Sequence, residues 1–216
     1  KASKACVIAI PPASLARMKR TDVAALHAAR YRPDDATLVL AGDIAVADAV
    51  QLAQAAFGGW KRPTRALAHV PVTPPAPVLR GPVVIAMTGA GQAGVALAAP
   101  SIARAAPDYY AGVVANTLVG NGYSSRLNQE IRIRRGLSYG VVSRLDARRA
   151  GGVFGVGVQT KNASAPEVVA VTLAEIARVA DAPAAADELE ARKLAVIGGV
   201  SRSFETTQSL AGMIAA

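Results

Sequence analysis

Arg132 and Tyr139 stand on either side of Gly136, and together they could hold a carbonyl group. A guanidinium offers planar, paired N–H donors, and a phenol adds a hydroxyl donor. Donors aimed at one point suit a carbonyl oxygen that gains negative charge in a transition state. A structural ion pair for Arg132 and a half-buried packing role for Tyr139 would explain the same residue types without chemistry. Ser124 and Ser125 resemble nucleophiles only superficially. No base is placed beside them, and helix capping explains them. Gly89-x-Gly91-x-x-Gly94 has the form of a dinucleotide fingerprint, but that fingerprint needs a helix to begin there. Val95 to Ala99 reads as strand and Pro100 blocks a long helix, so a glycine-rich turn is expected instead.

Metal chemistry finds no footing in the composition. A zinc site needs several Cys, His or carboxylate ligands, usually with a short-spaced pair. The chain has two histidines, His27 and His69, and one cysteine, Cys6. Neither histidine has a second His or a Cys within a helical turn. No metal ligand and no cofactor-binding residue is therefore assigned. A single cysteine also excludes an internal disulfide.

The elements that must position Arg132 and Tyr139 can be read from their flanks. Ser124 or Ser125 caps a helix running to about Arg135, and Gly136 is its C-terminal stop. Arg132 then falls in the last turn. Tyr139 opens a strand to Leu145, paired in a hairpin with Val153 to Thr160. Upstream, Pro107-Asp108 opens a helix to Val119, ended by Gly120-Asn121-Gly122. Val83 to Thr88 and Val95 to Ala99 read as strands. Ser164-Ala165-Pro166-Glu167 reads as a capping box before a helix to Ala180, and helices follow over Ala184 to Ile197 and Phe204 to Ala216. Nearer the start, Ser14 to Tyr31 reads as helix in two parts with Thr21 and Asp22 as caps. ATLVLA, 36–41, reads as a strand buried on both faces, and Val46 to Phe57 as an amphipathic helix.

Paired strands with helices grouped between them argue for an α+β fold with an antiparallel sheet. Six prolines between Pro63 and Pro82 mark a linker. The expected organisation is 1–61 as the end of a first α/β domain, 62–82 as linker and 83–216 as a second domain. The uncharged stretch 81–103 contains Pro82, Pro100, Gln92 and several glycines, so no membrane span is expected.

The chain of 216 residues is 52% apolar and 18% charged, which is globular. With 24 Lys and Arg against 15 Asp and Glu its net charge is +9, and arginine outnumbers lysine three to one. Arg132, Arg134, Arg135, Arg144, Arg148 and Arg149 form a basic run, read as a solvated face. A basic nucleic-acid-binding module is the alternative that charge alone supports. Aromatics at 4% weaken a base-stacking platform.

DYYAGVVANTLVGNGYSSRLNQEIRIRRGLSYGV, 108–141, resembles the second, non-catalytic domain of the pitrilysin, insulinase and mitochondrial processing peptidase family. The matching residues are Leu118, Gly120, Gly122, Ser125-Arg126-Leu127, Ile131-Arg132, Gly136-Leu137 and Tyr139. GAGQAGVALAAP, with Gln92, is similar to that domain's first hairpin. YRPDDATLVLAGDI, 31–44, is similar to the last strand of the family's first domain. The resemblance implies a zinc metallopeptidase of two similar α/β halves. The first half carries a His-x-x-Glu-His motif that is absent here, so zinc is expected in a missing or partner catalytic half. The closing helix–strand–helix of the second domain would follow Ala216. Arg132 and Tyr139 would hold the substrate carbonyl and stabilise the oxyanion. Ile133 stands where the family often has an acidic residue, and no role is assigned to it.

The implied function is the substrate-holding portion of a zinc metalloendopeptidase, inactive alone. Its partners would be the catalytic half and peptides, in a homo- or heterodimer, in the periplasm or cytoplasm of a bacterium. A non-enzymatic core-type subunit of the same fold is the alternative reading.

Overall fold

The structure, a computed structural model, describes residues 12–64 and 81–215. Cys6, His69 and most of the expected linker lie outside the described residues. The chain divides into two compact units, Val72–Val200 and a second made of Lys1–Pro71 with Ser201–Ala216.

The larger unit holds an antiparallel sheet. Strand β1 (Ala93–Ser101) and β2 (Val141–Arg148) flank β3 (Gly151–Thr160). The hairpin expected between β2 and β3 is present. In β2, Val141 and Ser143 are buried while Val142 and Arg144 are exposed, the period of two expected for a sheet with one covered face. Val158 sits opposite both Val95 and Val141, and Val156 opposite Leu97 and Ser143.

Helices α4 (Tyr109–Val119) and α5 (Ala165–Asp181) cover this face, with a helical segment after Ser125 between them in sequence. Val119, Leu127, Ile131, Val141, Val156, Val158 and Val168 form the core. Each such side chain contributes roughly 1.5–3 kcal/mol on full burial. On α5, Val168, Thr172 and Glu175 are buried at helical spacing. The fold of this unit is α+β, as the order of elements implies.

Gly120 ends α4 and touches the sheet. Its amide donates to the Asn116 carbonyl at 3.0 Å, and its own carbonyl accepts the Ser143 amide at 3.1 Å. A Cβ on Gly120 would lie 2.8 Å from Ser143 Oγ and 2.9 Å from Ser143 Cβ. Ser143 is fully buried and bonds Asn116 through its hydroxyl, so it cannot yield. Gly120→Ala is expected to destabilise the protein by about 1–3 kcal/mol through overpacking. A melting temperature equal to wild type would show that this approach is looser than described.

In the other unit, α1 (Pro12–Arg17), α2 (Arg20–Arg30) and α3 (Val46–Phe57) match the expected helices. The cap of α2 is displaced from Thr21 and Asp22. Lys19 occupies the cap, and the Asp22 carboxylate accepts the Lys19 amide at 2.9 Å from the first turn. Arg32 is buried and donates to both carboxylate oxygens of Asp34, at 2.9 and 2.6 Å. That bond holds the Asp34 carboxyl down to about 2. Helix α6 (Ala186–Ser203) belongs to the larger unit as far as Val200, and α7 (Thr207–Ala215) belongs to this one. No helix among the described residues is long and apolar enough to cross a membrane.

Four expectations need correction. Segment 36–41 forms no strand, and Leu38 and Leu40 are exposed. Val83 to Thr88 likewise forms no strand. A strand exists only as part of a pair, and among the described residues neither segment has one. Tyr139 precedes β2 rather than opening it, because the ladder begins at Val141. Ser164 sits at the cap of α5 but makes no capping bond. A 3-10 turn, Asn162–Ser164, leaves Ser164 at φ −92°, ψ −8°, not the extended backbone that a capping hydroxyl needs.

Candidate functional site

The site is built on residues 120–141 of the larger unit. Ser125 is buried, and its carbonyl accepts the Gln129 amide at 2.9 Å. After Arg126 and Leu127 the helix widens into a π-helix, Asn128–Arg134. Sequence periodicity predicts an ordinary helix here, and the π-helix is a finding of the structure. Such wide turns are uncommon and recur at functional sites. Leu127 and Ile131 anchor its inner side with no solvent exposure. Gly136 stops it at φ 60°, in the left-handed region that glycine tolerates. The Leu137 amide then donates back to the Ile131 carbonyl at 2.8 Å.

Arg132 emerges beside buried Ile131 and is itself half-buried. Its guanidinium carbon lies 4.5 Å from the centre of the Tyr139 ring and 4.7 Å from that of Tyr123. The two residues singled out by sequence are thus in contact, and Tyr123 joins them. Arg132 makes no ion pair and no hydrogen bond among the described residues. Tyr139 is 88% exposed rather than half-buried.

Asn128 brackets this cluster from below. Its Nδ2 donates to the Val141 carbonyl at 2.8 Å, the Gly122 carbonyl at 3.0 Å and Ser125 Oγ at 3.2 Å. Its Oδ1 accepts the Val141 amide at 3.2 Å. One buried side chain thereby ties the Tyr123 loop to the strand that follows Tyr139. The Tyr139 loop is fastened to β3 as well. Ser138 Oγ donates to the Gln159 carbonyl at 2.6 Å and Thr160 Oγ1 to the Leu137 carbonyl at 2.6 Å.

The outer side of the Tyr123 loop is held by α6. Arg192 donates to Ser124 Oγ at 2.7 Å and to the Ser124 carbonyl at 2.8 Å. Ser124 is therefore an anchor, neither cap nor nucleophile. Arg126 donates to both oxygens of Glu188, at 3.0 and 2.7 Å, and this holds the Glu188 carboxyl below its ordinary value. The basic run is only partly a solvated face. Arg134 pairs with Glu130, Arg135 with Glu130 and Glu167, and Arg148 with Asp146. Half of its six arginines are thus partly neutralised, which reduces the uniform potential a nucleic-acid surface would need.

No group of three His, Cys, Asp or Glu side chains among the described residues could hold a metal ion, so zinc finds no fit in them. The glycine motif near residue 90 makes a turn, and β1 rather than a helix follows it. Sequence reasoning missed Tyr123 and Asn128. Their only signals were an aromatic directly after Gly-Asn-Gly and a polar residue beside the apolar positions Leu127 and Ile131.

Residues 17–196 match the family model described as Peptidase M16 inactive domain. An uncharacterized zinc protease of Mycobacterium leprae is 29% identical over 198 residues, covering 91% of this chain and 44% of that protein. Among solved structures, the peptidase M16 inactive domain from Pseudomonas fluorescens aligns with a TM-score of 0.53 at 28% identity, covering 57% of this chain and 30% of that one. A protease from Helicobacter pylori aligns with a TM-score of 0.77 at 21% identity, covering 94% and 50%. The chain spans about half, or less, of the length of each of these proteins.

Proposed function

We propose, on the premise that this chain belongs to the Peptidase M16 inactive domain family, that it is the substrate-holding portion of a zinc metalloendopeptidase. Its partner is a catalytic half bearing His-x-x-Glu-His, in the same polypeptide or in a partner subunit. Its substrates are peptides.

The observation that supports this most is the arrangement of Arg132 and Tyr139. The Arg132 donors are not taken up by any carboxylate among the described residues, and the Tyr139 ring 4.5 Å away is open to solvent. A structural arginine finds a carboxylate, as Arg126 and Arg134 do. An arginine kept for a ligand presents free donors in a fixed place. In this role the guanidinium and the phenol hydroxyl donate to the scissile carbonyl oxygen. Both bonds strengthen as negative charge collects on that oxygen. The chain's own contribution is orientation and charge stabilisation, and the metal chemistry belongs to the other half.

The test joins this chain with its catalytic half and follows hydrolysis of a peptide. Hydrolysis should be abolished by a chelator. Tyr139→Phe, which removes one hydroxyl donor, should lower turnover about tenfold, as for a hydrogen bond of about 1.4 kcal/mol. Turnover unchanged by both Tyr139→Phe and Arg132→Ala would remove the site. A chelator-insensitive or absent hydrolysis would favour a core-type subunit that keeps the fold only for assembly.

A further inference from the structure

We infer that Tyr123 is a positioning residue. It holds the Arg132 guanidinium in the orientation from which that group meets the substrate carbonyl. The inference rests on the reading of Arg132 as a substrate contact and adds a residue to it.

Three observations carry it. The Tyr123 ring centre lies 4.7 Å from the Arg132 guanidinium carbon, within the range of a cation–π contact. The ring is 63% exposed, so packing in the core does not explain an aromatic there. The backbone around it is fixed on both sides. The Gly122 carbonyl accepts from Asn128 Nδ2 and from the Ser125 amide at 3.2 Å, and Ser124 accepts twice from Arg192. Gly122 itself sits at φ 135°, a conformation that lets the loop turn at this point. An exposed ring on an immobilised loop is a fixed platform.

Arg132 needs such a platform. A partly exposed arginine with no carboxylate samples many rotamers, and ordering it costs free energy when substrate arrives. Contact with a ring restricts the guanidinium beforehand without consuming its charge. Tyr139 supplies a second ring, but its hydroxyl is assigned to substrate. Tyr123 makes no hydrogen bond among the described residues and makes no ring contact with Tyr139. Its ring faces the Arg132 guanidinium.

The experiment uses the whole protein with its catalytic half and a peptide substrate. Tyr123→Leu should lower kcat about fivefold with KM changed less than about twofold, the fold-change matching a contact of about 1 kcal/mol. Tyr123→Phe, which keeps the ring, should restore kcat to within about twofold of wild type. In an Arg132→Ala background Tyr123→Leu should have no further effect, since its action passes through Arg132. In spectra of the protein, the ring-current shift of the Arg132 δ-protons should diminish in Tyr123→Leu and persist in Tyr123→Phe. A rise in KM with kcat retained, or a full effect in the Arg132→Ala background, would overturn the assignment and make Tyr123 a direct substrate contact. If Arg132→Ala slows hydrolysis and Tyr123→Leu does not, only the Tyr123 inference fails. If Arg132→Ala leaves hydrolysis intact, the reading of Arg132 fails and takes this one with it.

Discussion

Arg132→Ala is expected to lower kcat/KM for peptide hydrolysis about 100- to 1,000-fold, the loss typical of removing one preorganised oxyanion donor. The loss should fall mainly on kcat, because in the proposed role the charge that Arg132 meets exists only in the transition state. Stability should change little. Arg132 makes no ion pair among the described residues, and its neighbours Tyr123 and Tyr139 are exposed. Arg132→Lys should recover only part of the rate. An ammonium keeps the charge but lacks the planar fork. Steady-state kinetics beside a thermal melt separates the two effects. A kcat/KM within about threefold of wild type would contradict the role, since even one neutral hydrogen bond is worth more than that in a water-excluded site.

The arginines neighbouring Arg132 sharpen its distinction. Arg134 and Arg135 share Glu130, which is buried, and Arg135 also reaches Glu167 on α5. Truncating either would disturb packing around the helix end. A loss of rate from Arg134→Ala would therefore come with a lower melting temperature, whereas the loss from Arg132→Ala should not. This difference between adjacent arginines could not be read from their spacing. It depends on the π-helix, which sets which of them face α5.

What was legible in the sequence was local. Gly136 as a helix stop, the hairpin of β2 and β3, and α3 follow from turn residues and periodicity within short windows. The segments 36–41 and 83–88 have the composition of strands, but pairing is not a local property. Among the described residues they join no ladder. The pairing of Arg132 with Tyr139 was legible because a glycine turn joins them. Tyr123 was not, because its approach to Arg132 depends on the wide turn and on a loop anchored by Arg192, far along the chain. Asn128 was hidden for a similar reason, since two of its four bonds are to Val141 and depend on where β2 arrives.

Asn128→Leu is expected to destabilise the protein by about 3 kcal/mol, the order expected when buried backbone groups lose their partners. Strand β2 lies at an edge of the sheet, and Val141 faces Val158 across to β3. Yet both the amide and the carbonyl of Val141 bond Asn128. They therefore point away from β3, and the Asn128 amide stands where a neighbouring strand would be. Two residues on, the Ser143 amide finds the Gly120 carbonyl in the same way. Leucine matches asparagine in bulk but satisfies neither group, and it also releases the Gly122 carbonyl that fixes the Tyr123 loop. Asn128→Asp discriminates further. A carboxylate can still accept the Val141 amide, but it faces the Val141 and Gly122 carbonyls with an oxygen where donors stood. Burying that charge among acceptors should cost at least as much as leucine does. Denaturant unfolding of both variants measures this. If Asn128→Asp is as stable as wild type, Asn128 does not hold the edge of β2, and the Tyr123 loop and the Tyr139 strand must be joined by other contacts.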